Sequence, residues 1–167
     1  MKRILAADWG TRRVGLAVSD TLGITAQPLP PLLLPAGQLP QHVPVYVARA
    51  LAALAEEHDV SHLVLGLPLE LSGERGESAR AVDAVAVALA ARTKVPVDLW
   101  DERFTSALAE QSLREQGTKI ARRSGGGRER QRAKSEDKAR IDQRAALLLL
   151  QSWLDAHPGI RSEGEGA

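Results

Sequence analysis

The chain has 167 residues, of which 44% are hydrophobic and 26% charged, and its formal net charge is +1. This length and composition predict one soluble globular domain, and the near-neutral charge excludes a surface that is basic overall, so any nucleic-acid contact must be local. The chain has no cysteine, which excludes a disulfide framework and a thiolate zinc site, and no apolar run is long enough to span a bilayer, so we expect a cytoplasmic protein without membrane contact.

The first third of the chain predicts three strands followed by a helix. Arg3 to Ala7 is a short apolar strand, and Val14 to Ser19 alternates apolar and small residues as a half-buried strand does. A tight turn at Thr11 to Arg13 joins the two as a hairpin. The apolar, proline-broken stretch from Ala26 to Leu34 predicts an edge strand. Pro44 to Glu57 carries an apolar stripe at helical spacing, with proline tolerated near its start.

The next elements alternate between strand and helix. They are a buried strand at His62 to Leu67, a helix at Ala79 to Ala91, a strand at Val95 to Trp100 and a helix at Ser106 to Gln116. Because helical crossovers join parallel strands, the two later strands are expected to run parallel to the first.

A basic segment separates these elements from the last helix. Thr118 to Arg140 holds nine lysines and arginines against three acidic residues, and Ser124 to Gly127 interrupts it with three glycines. This pattern predicts a mobile basic loop at about 118–134. The last helix follows from about Ser135, so one domain covers 1–157 and a disordered tail covers 158–167.

The element order predicts an α/β fold built on a mixed five-stranded sheet. The first three strands form an antiparallel meander, and the two crossover strands run parallel to the first strand, which therefore lies next to them. The C-terminal end of that first strand is a topological switch point, where α/β sheets bind ligands. Asp8 stands at this end.

Further carboxylates are placed to reach the same edge. Asp101 and Glu102 come directly after a strand, and Asp142 stands near the start of the last helix. Asp142 shares a helical stripe with small and apolar residues, namely Ala145, Ala146, Leu149 and Trp153. Carboxylates that converge repel each other unless a cation lies between them, and Mg²⁺ and Mn²⁺ prefer oxygen ligands. The sequence therefore predicts a divalent-metal site for phosphodiester hydrolysis, with two ions about 3.5–4 Å apart.

Arginines near these acids could hold substrate phosphates. Arg12 and Arg13 follow the turn at Gly10, and the basic loop supplies Arg122, Arg123, Arg128 and Arg130. Each of these features also has a simpler interpretation. Asp8 could only form a turn, and the acids after the last predicted strand could lie at a solvated strand end. Asp142 could form an ion pair, and the basic loop could be a solvated linker. Their joint placement favours a nuclease site.

Two other functions fit parts of the pattern. An Asp-x-Gly-Thr turn between strands is also typical of the first phosphate loop of actin-like ATPases and sugar kinases, but those proteins need a second such loop and a second lobe. A non-catalytic RNA-binding or ribosome-assembly module would use the same basic loop. A divalent-metal titration on single-stranded RNA separates that module from a nuclease.

Four ordered blocks resemble the signature blocks of the YqgF/RuvX family, which is related to the RuvC resolvases. The blocks are "DWGTRRVGLAVSDTLGITAQPL", "LVLGLPLELSGERG", "LWDERFTSALAE" and "IDQRAALLLLQSWL". The resemblance runs from Lys2 to Leu154 except for the middle of the basic loop. It implies an RNase H-like fold and a nuclease that matures the 5′ end of pre-16S rRNA or resolves Holliday junctions.

The resemblance also implies which residues carry the chemistry. It puts the catalytic and metal-binding acids at Asp8, Glu102 and Asp142, with Mg²⁺ or Mn²⁺ as cofactor and RNA or branched DNA as partner. Arg103, in the third block, is a further phosphate-binding candidate. The second block departs from the family pattern at Glu70, which adds Glu70 to Asp101 as a candidate extra acid. A monomer or a homodimer fits the pattern, and a junction resolvase would need the dimer.

Overall fold

The computed structural model describes residues 3–37, 40–70, 72–101 and 144–161. The five strands are β1 (Arg3–Trp9), β2 (Arg13–Ser19), β3 (Ala26–Leu33), β4 (Val60–Leu67) and β5 (Val97–Asp101). Two helices connect them, α1 (Val43–Glu57) and α2 (Glu77–Ala90). A C-terminal helix covers 144–156 in its described part. Short 3-10 turns are formed by Pro40–His42 and by Pro158–Arg161.

The strands form one mixed sheet in the order β3-β2-β1-β4-β5. β1 is antiparallel to β2 and parallel to β4, β3 is antiparallel to β2, and β5 is parallel to β4. The predicted fold class is confirmed, and the described strands and connecting helices begin and end within two residues of their predicted bounds. The helix predicted at Ser106 to Gln116 and the basic loop at 118–134 lie outside the described residues, and so do the last six residues of the expected tail.

Each face of the sheet is covered by different helices. Leu5 and Ala7 of β1 belong to a core that α1 and α2 complete, and we call this side of the sheet the two-helix face. Ile4 and Ala6 point the other way, into a second core with the C-terminal helix, and we call this side the one-helix face. Since side chains alternate along a strand, Asp8 lies on the one-helix face.

In the described part of the chain, no helix is both long enough and apolar enough to cross a bilayer.

Asp20 closes a turn at the end of the sheet opposite to Asp8. Its Oδ1 atom accepts hydrogen bonds from the backbone N–H groups of Ile24 and Thr25, at 2.7 and 3.3 Å. Gly23, at φ 64°, donates its N–H to the Asp20 carbonyl oxygen at 3.2 Å. Burial raises the pKa of the Asp20 carboxyl, but the backbone hydrogen bonds outweigh this and lower the pKa below its usual value. Asp20 therefore has a structural role.

We expect Asp20→Ala to lower the free energy of unfolding by about 0.5–1 kcal/mol near neutral pH, because the turn loses charge-assisted hydrogen bonds in a solvent-exposed place. The carboxylate has a lowered pKa in the folded state, so its contribution is present above the unfolded pKa and is lost as the pH falls through the folded pKa. Urea denaturation of wild type and variant at pH 7 and at pH 3 checks this. If wild type and variant differed in free energy of unfolding by the same amount at both pH values, the stabilising role of the ionised Asp20 carboxylate would be contradicted.

Candidate functional site

Asp8 lies between two glycines on the one-helix face. It is half-buried, and its partner on β2 is Gly15. On the other side of β1, Leu65 of β4 is paired with Ala7. Because the two strands are parallel, the next residue of β4, Gly66, lies beside Asp8. Because neither glycine has a side chain, the space around the carboxylate is left open by its neighbours on both strands. This arrangement suits a carboxylate that binds a ligand.

The C-terminal helix packs across this face, where Ala146, Leu149 and Leu150 are buried with Ile4 and Ala6. The ring of Trp153, in the second half of the helix, lies 5.8 Å from the ring of His62, and His62 is paired with Ile4 near the beginning of β1. Ser152, the residue before Trp153, accepts a hydrogen bond from Trp100, and Trp100 is paired with Gly66 beside Asp8. This part of the helix therefore reaches from the level of Ile4 to the level of Asp8.

The turn after β1 needs a glycine. The Gly10 N–H donates to the Arg13 carbonyl oxygen at 3.0 Å, and a Cβ atom at position 10 would lie only 2.6 Å from that oxygen. Arg12 is exposed at the tip of the turn, while its carbonyl oxygen accepts from the N–H of Leu34 at 3.0 Å. The turn is therefore held by backbone contacts that leave the Arg12 side chain available to solvent.

Arg13 lies on the same face as Asp8. The next residue, Val14, is buried in the core of the two-helix face, so alternation along β2 turns Arg13 the other way. Arg13 is half-buried, and its Nε atom is shielded from solvent. Of the two predicted phosphate-binding arginines in this turn, Arg13 is thus the one that shares the face of Asp8.

Of the two candidate extra acids, Asp101 is directed to the face of the sheet opposite to that of Asp8. Asp101 is the last residue of β5 and is paired with Leu67, which is buried in the core of the two-helix face. The preceding residue, Trp100, packs against the core of the one-helix face. Alternation along β5 therefore directs Asp101 to the two-helix face.

Glu70 lies in the loop between β4 and α2. Its loop is closed by hydrogen bonds from the Gly73 N–H to the Glu70 carbonyl oxygen at 2.8 Å and from the Glu70 N–H to the Glu74 carbonyl oxygen at 3.0 Å. The Glu70 Oε1 atom is 2.8 Å from the place where a Cβ at Gly76 would lie. Gly76 directly precedes α2, and α2 covers the two-helix face. The loop thus places Glu70 beside α2.

The other predicted site residues lie outside the described residues. They are Glu102, Arg103, Arg122, Arg123, Arg128, Arg130 and Asp142. Within the described ranges, no group of three histidine, aspartate or glutamate side chains is placed to hold a metal ion. Asp8 is the member of the predicted acidic trio that the structure places.

Two features of the site were not predicted from the sequence. One is Gly66 beside Asp8, although a glycine inside a buried strand, here within "LVLGL", is a signal of close approach. The other is the contact of Trp100 with the C-terminal helix. Its Nε1 atom donates a hydrogen bond to the Ser152 Oγ atom of the C-terminal helix at 3.3 Å. No sequence signal pairs these two residues.

The order and directions of the five strands define an RNase H-like fold. Two solved structures share it. Thermus thermophilus RuvC in complex with a Holliday junction matches with a TM-score of 0.57 at 14% identity, over 96% of this chain and 98% of that chain. The human cytomegalovirus terminase nuclease domain matches with a TM-score of 0.51 at 12% identity, over 96% of this chain and 86% of that chain.

The chain belongs to the RuvX family, whose model, described as a Holliday junction resolvase, matches residues 2–156. Similar proteins carry the name "Putative pre-16S rRNA nuclease". The protein from Myxococcus xanthus (strain DK1622) is 39% identical over 155 residues, covering 93% of this chain and 89% of the relative. The protein from Koribacter versatilis (strain Ellin345) is 39% identical over 161 residues, covering 96% and 92%. The resemblance noted in the four sequence blocks is confirmed.

Proposed function

We propose that this protein is a divalent-metal-dependent nuclease that hydrolyses phosphodiester bonds. Its main reaction is the maturation of the 5′ end of pre-16S rRNA, and branched DNA such as a Holliday junction is the second candidate substrate. The observation that carries the proposal is the half-buried carboxylate of Asp8, at the end of the central strand and between Gly15 and Gly66. The names of the relatives support the reaction class.

The site chemistry fits Mg²⁺ or Mn²⁺. The Asp8 oxygens are the ligand type that these ions prefer, and the flanking glycines leave space beside them. Position 142 is on the same helical stripe as Ala146, Leu149 and Trp153, which are buried on the one-helix face. Continued alternation beyond β5 would put Glu102 on the face of Trp100. We therefore propose Asp8, Glu102 and Asp142 as the metal-binding and catalytic acids. Bound metal would supply an activated water and stabilise the leaving oxygen.

Cationic side chains hold the substrate in this proposal. Arg13, on the face of Asp8, binds a phosphate oxygen near the scissile bond, and Arg12 and Arg103 bind neighbouring phosphates. The basic loop adds Arg122, Arg123, Arg128 and Arg130. Only 3% of the residues are aromatic, so recognition rests on the nucleic-acid backbone and its shape rather than on base stacking.

The basic loop should contribute affinity but no chemistry. We expect simultaneous replacement of Arg122, Arg123, Arg128, Arg130 and Arg132 by alanine to weaken binding to RNA and DNA alike. The slope of log affinity against log salt should become shallower by about 2–4, because fewer counterions are released. Single-turnover cleavage at saturating substrate should change much less.

A matched control removes Arg49 and Arg80 on α1 and α2, which cover the two-helix face. We expect this double alanine variant to keep the salt slope of the wild type. An unchanged slope in the loop variant would mean that the loop is a solvated linker and that Arg12, Arg13 and Arg103 are the main phosphate contacts.

The proposed function is tested with purified protein and two labelled substrates, a 16S precursor RNA with an extended 5′ end and a four-way DNA junction. Each is incubated with Mg²⁺, with Mn²⁺ or with EDTA. We expect cleavage that requires the metal and is faster on the RNA. Faster cleavage of the junction would make branched DNA the main substrate. Binding of the RNA without cleavage under any metal condition would contradict a nuclease and favour the non-catalytic RNA-binding module.

A further inference from the structure

The edge of the sheet around Asp8 is cationic on the side of β2 and β3. Arg12 is exposed there, at the tip of the turn between β1 and β2, and Arg13 is half-buried at the beginning of β2. No acidic residue occurs in 9–19 or in 26–37. An anionic strand that approaches Asp8 is therefore attracted on this side.

The side of β4 and α2 carries the opposite charge. The loop after β4 starts at the same edge of the sheet, because β4 runs parallel to β1. Glu70 and Glu74 are exposed in this loop, and Glu77 is exposed in the first turn of α2. Arg75 of the loop forms an ion pair with Asp83 of α2, so its charge is matched within the protein. A phosphate backbone is therefore repelled on this side.

Leu33 adds an apolar contact on the cationic side. It is the last residue of β3, it is paired with Arg13, and it is 65% exposed. Leu32 and Leu34 pack against the core of the two-helix face, so alternation places Leu33 on the one-helix face. This is the face of Asp8 and Arg13. A leucine beside an arginine suits a nucleotide, whose sugar ring packs on apolar atoms while its phosphate is bound by the cation.

We infer that the nucleic-acid strand bound at Asp8 continues over the ends of β2 and β3, with a phosphate on Arg12 and a sugar ring on Leu33, and not over the loop between β4 and α2. This inference rests on the proposed function and adds the direction of the substrate strand. β3 lies two strands away from β1, which is about 10 Å across the sheet. About three nucleotides of a stacked strand cover that distance, at a rise of about 3.4 Å each.

A photocrosslinker attached at single positions tests the path of the strand directly. The chain has no cysteine, so Leu33→Cys and Glu74→Cys each provide one thiol for attachment at an exposed position. Each labelled protein is mixed with a short single-stranded RNA in EDTA and irradiated. We expect most of the crosslinked RNA to come from position 33, because the bound strand passes over it.

Two variants that each change the net charge by +1 measure the same preference as an affinity. Leu33→Lys adds a cation on the proposed path, and we expect it to steepen the slope of log affinity against log salt by about 0.7, the value for one further phosphate of a single strand. Glu74→Gln is the matched control and should keep the slope of the wild type, since no phosphate is bound there. Leu33→Ala should raise the dissociation constant for the RNA about 3- to 10-fold without changing the slope, because it removes an apolar contact and no charge.

Several results would overturn the inference and leave the proposed function intact, provided that the wild type shows metal-dependent cleavage. They are crosslinking mainly from position 74, equal crosslinking from both positions, and crosslinking from neither although the wild type binds the RNA. An unchanged salt slope in Leu33→Lys together with wild-type affinity in Leu33→Ala would have the same meaning. A wild type that neither binds the RNA nor cleaves it would overturn the proposed function and this inference with it. Both substituted residues are exposed, so the variants should keep the fold, and circular dichroism checks this.

Discussion

Asp8→Asn should abolish metal-dependent cleavage and leave the fold intact. We expect the single-turnover rate to fall by more than about 100-fold, since a direct metal ligand should matter more than the outer partners that typically contribute 10- to 100-fold. Asparagine has the same shape, so the packing between Gly15 and Gly66 is preserved. If Glu102 and Asp142 stand beside Asp8 as proposed, removal of one negative charge should leave the thermal midpoint of the metal-free protein unchanged or raised.

Asp98→Asn is the control for this variant. Asp98 is paired with Val64 of the core of the one-helix face, so the same substitution is made on the same face of the sheet but away from the end that carries Asp8. Asp98 is half-buried but lies away from the proposed site, so we expect the rate of this variant to stay within about threefold of the wild type. Circular dichroism and urea midpoints establish that both variants are folded. A folded Asp8→Asn protein with the turnover of the wild type would show that the site is elsewhere.

Glu102→Gln and Asp101→Asn should have opposite outcomes although the two residues are adjacent. Asp101 is paired with Leu67 and directed to the two-helix face, so we expect its replacement to change the cleavage rate by less than about threefold. Continued alternation would turn residue 102 to the face of Trp100 and Asp8. We therefore expect Glu102→Gln to reduce the rate by more than about 100-fold, as for Asp8→Asn.

Single-turnover cleavage at saturating Mn²⁺ checks both variants under the same conditions. The reverse result, an inactive Asp101→Asn with an active Glu102→Gln, would mean that the metal-binding side of this segment is shifted by one residue. Loss of activity in both would indicate that Asp101 contributes as an extra acid.

The architecture was predictable because its signals are local and periodic. The alternation of Val14, Leu16 and Val18 and the buried run before Leu67 identify strands, and connections through helices settle the parallel direction. The position of Asp8 at the end of the central strand follows from that topology. The structure confirms the mixed sheet and the edge position of β3.

Finer features of the site depend on register and loop path, which periodicity does not specify. The sequence could not separate Asp101 from its neighbour, whereas the pairing of Asp101 with Leu67 assigns it to a face. It did not predict that the loop after β4 brings the Glu70 carboxylate close to Gly76. The contact of Trp100 with Ser152 joins residues 52 positions apart and depends on the rotation of a helix over the sheet.

Iron-mediated cleavage of the polypeptide tests the proposed metal position most directly. Fe²⁺ that replaces Mg²⁺ generates hydroxyl radicals with ascorbate and peroxide, and these cut the nearest backbone. We expect cuts around Asp8, Gly15 and Gly66 that excess Mg²⁺ suppresses and that Asp8→Asn eliminates. A second cleft, at the opposite end of the sheet, is lined by Arg3, Thr21, Glu57, His58 and Asp59. Cuts confined to that cleft, or a pattern that Asp8→Asn leaves unchanged, would contradict a metal site at Asp8.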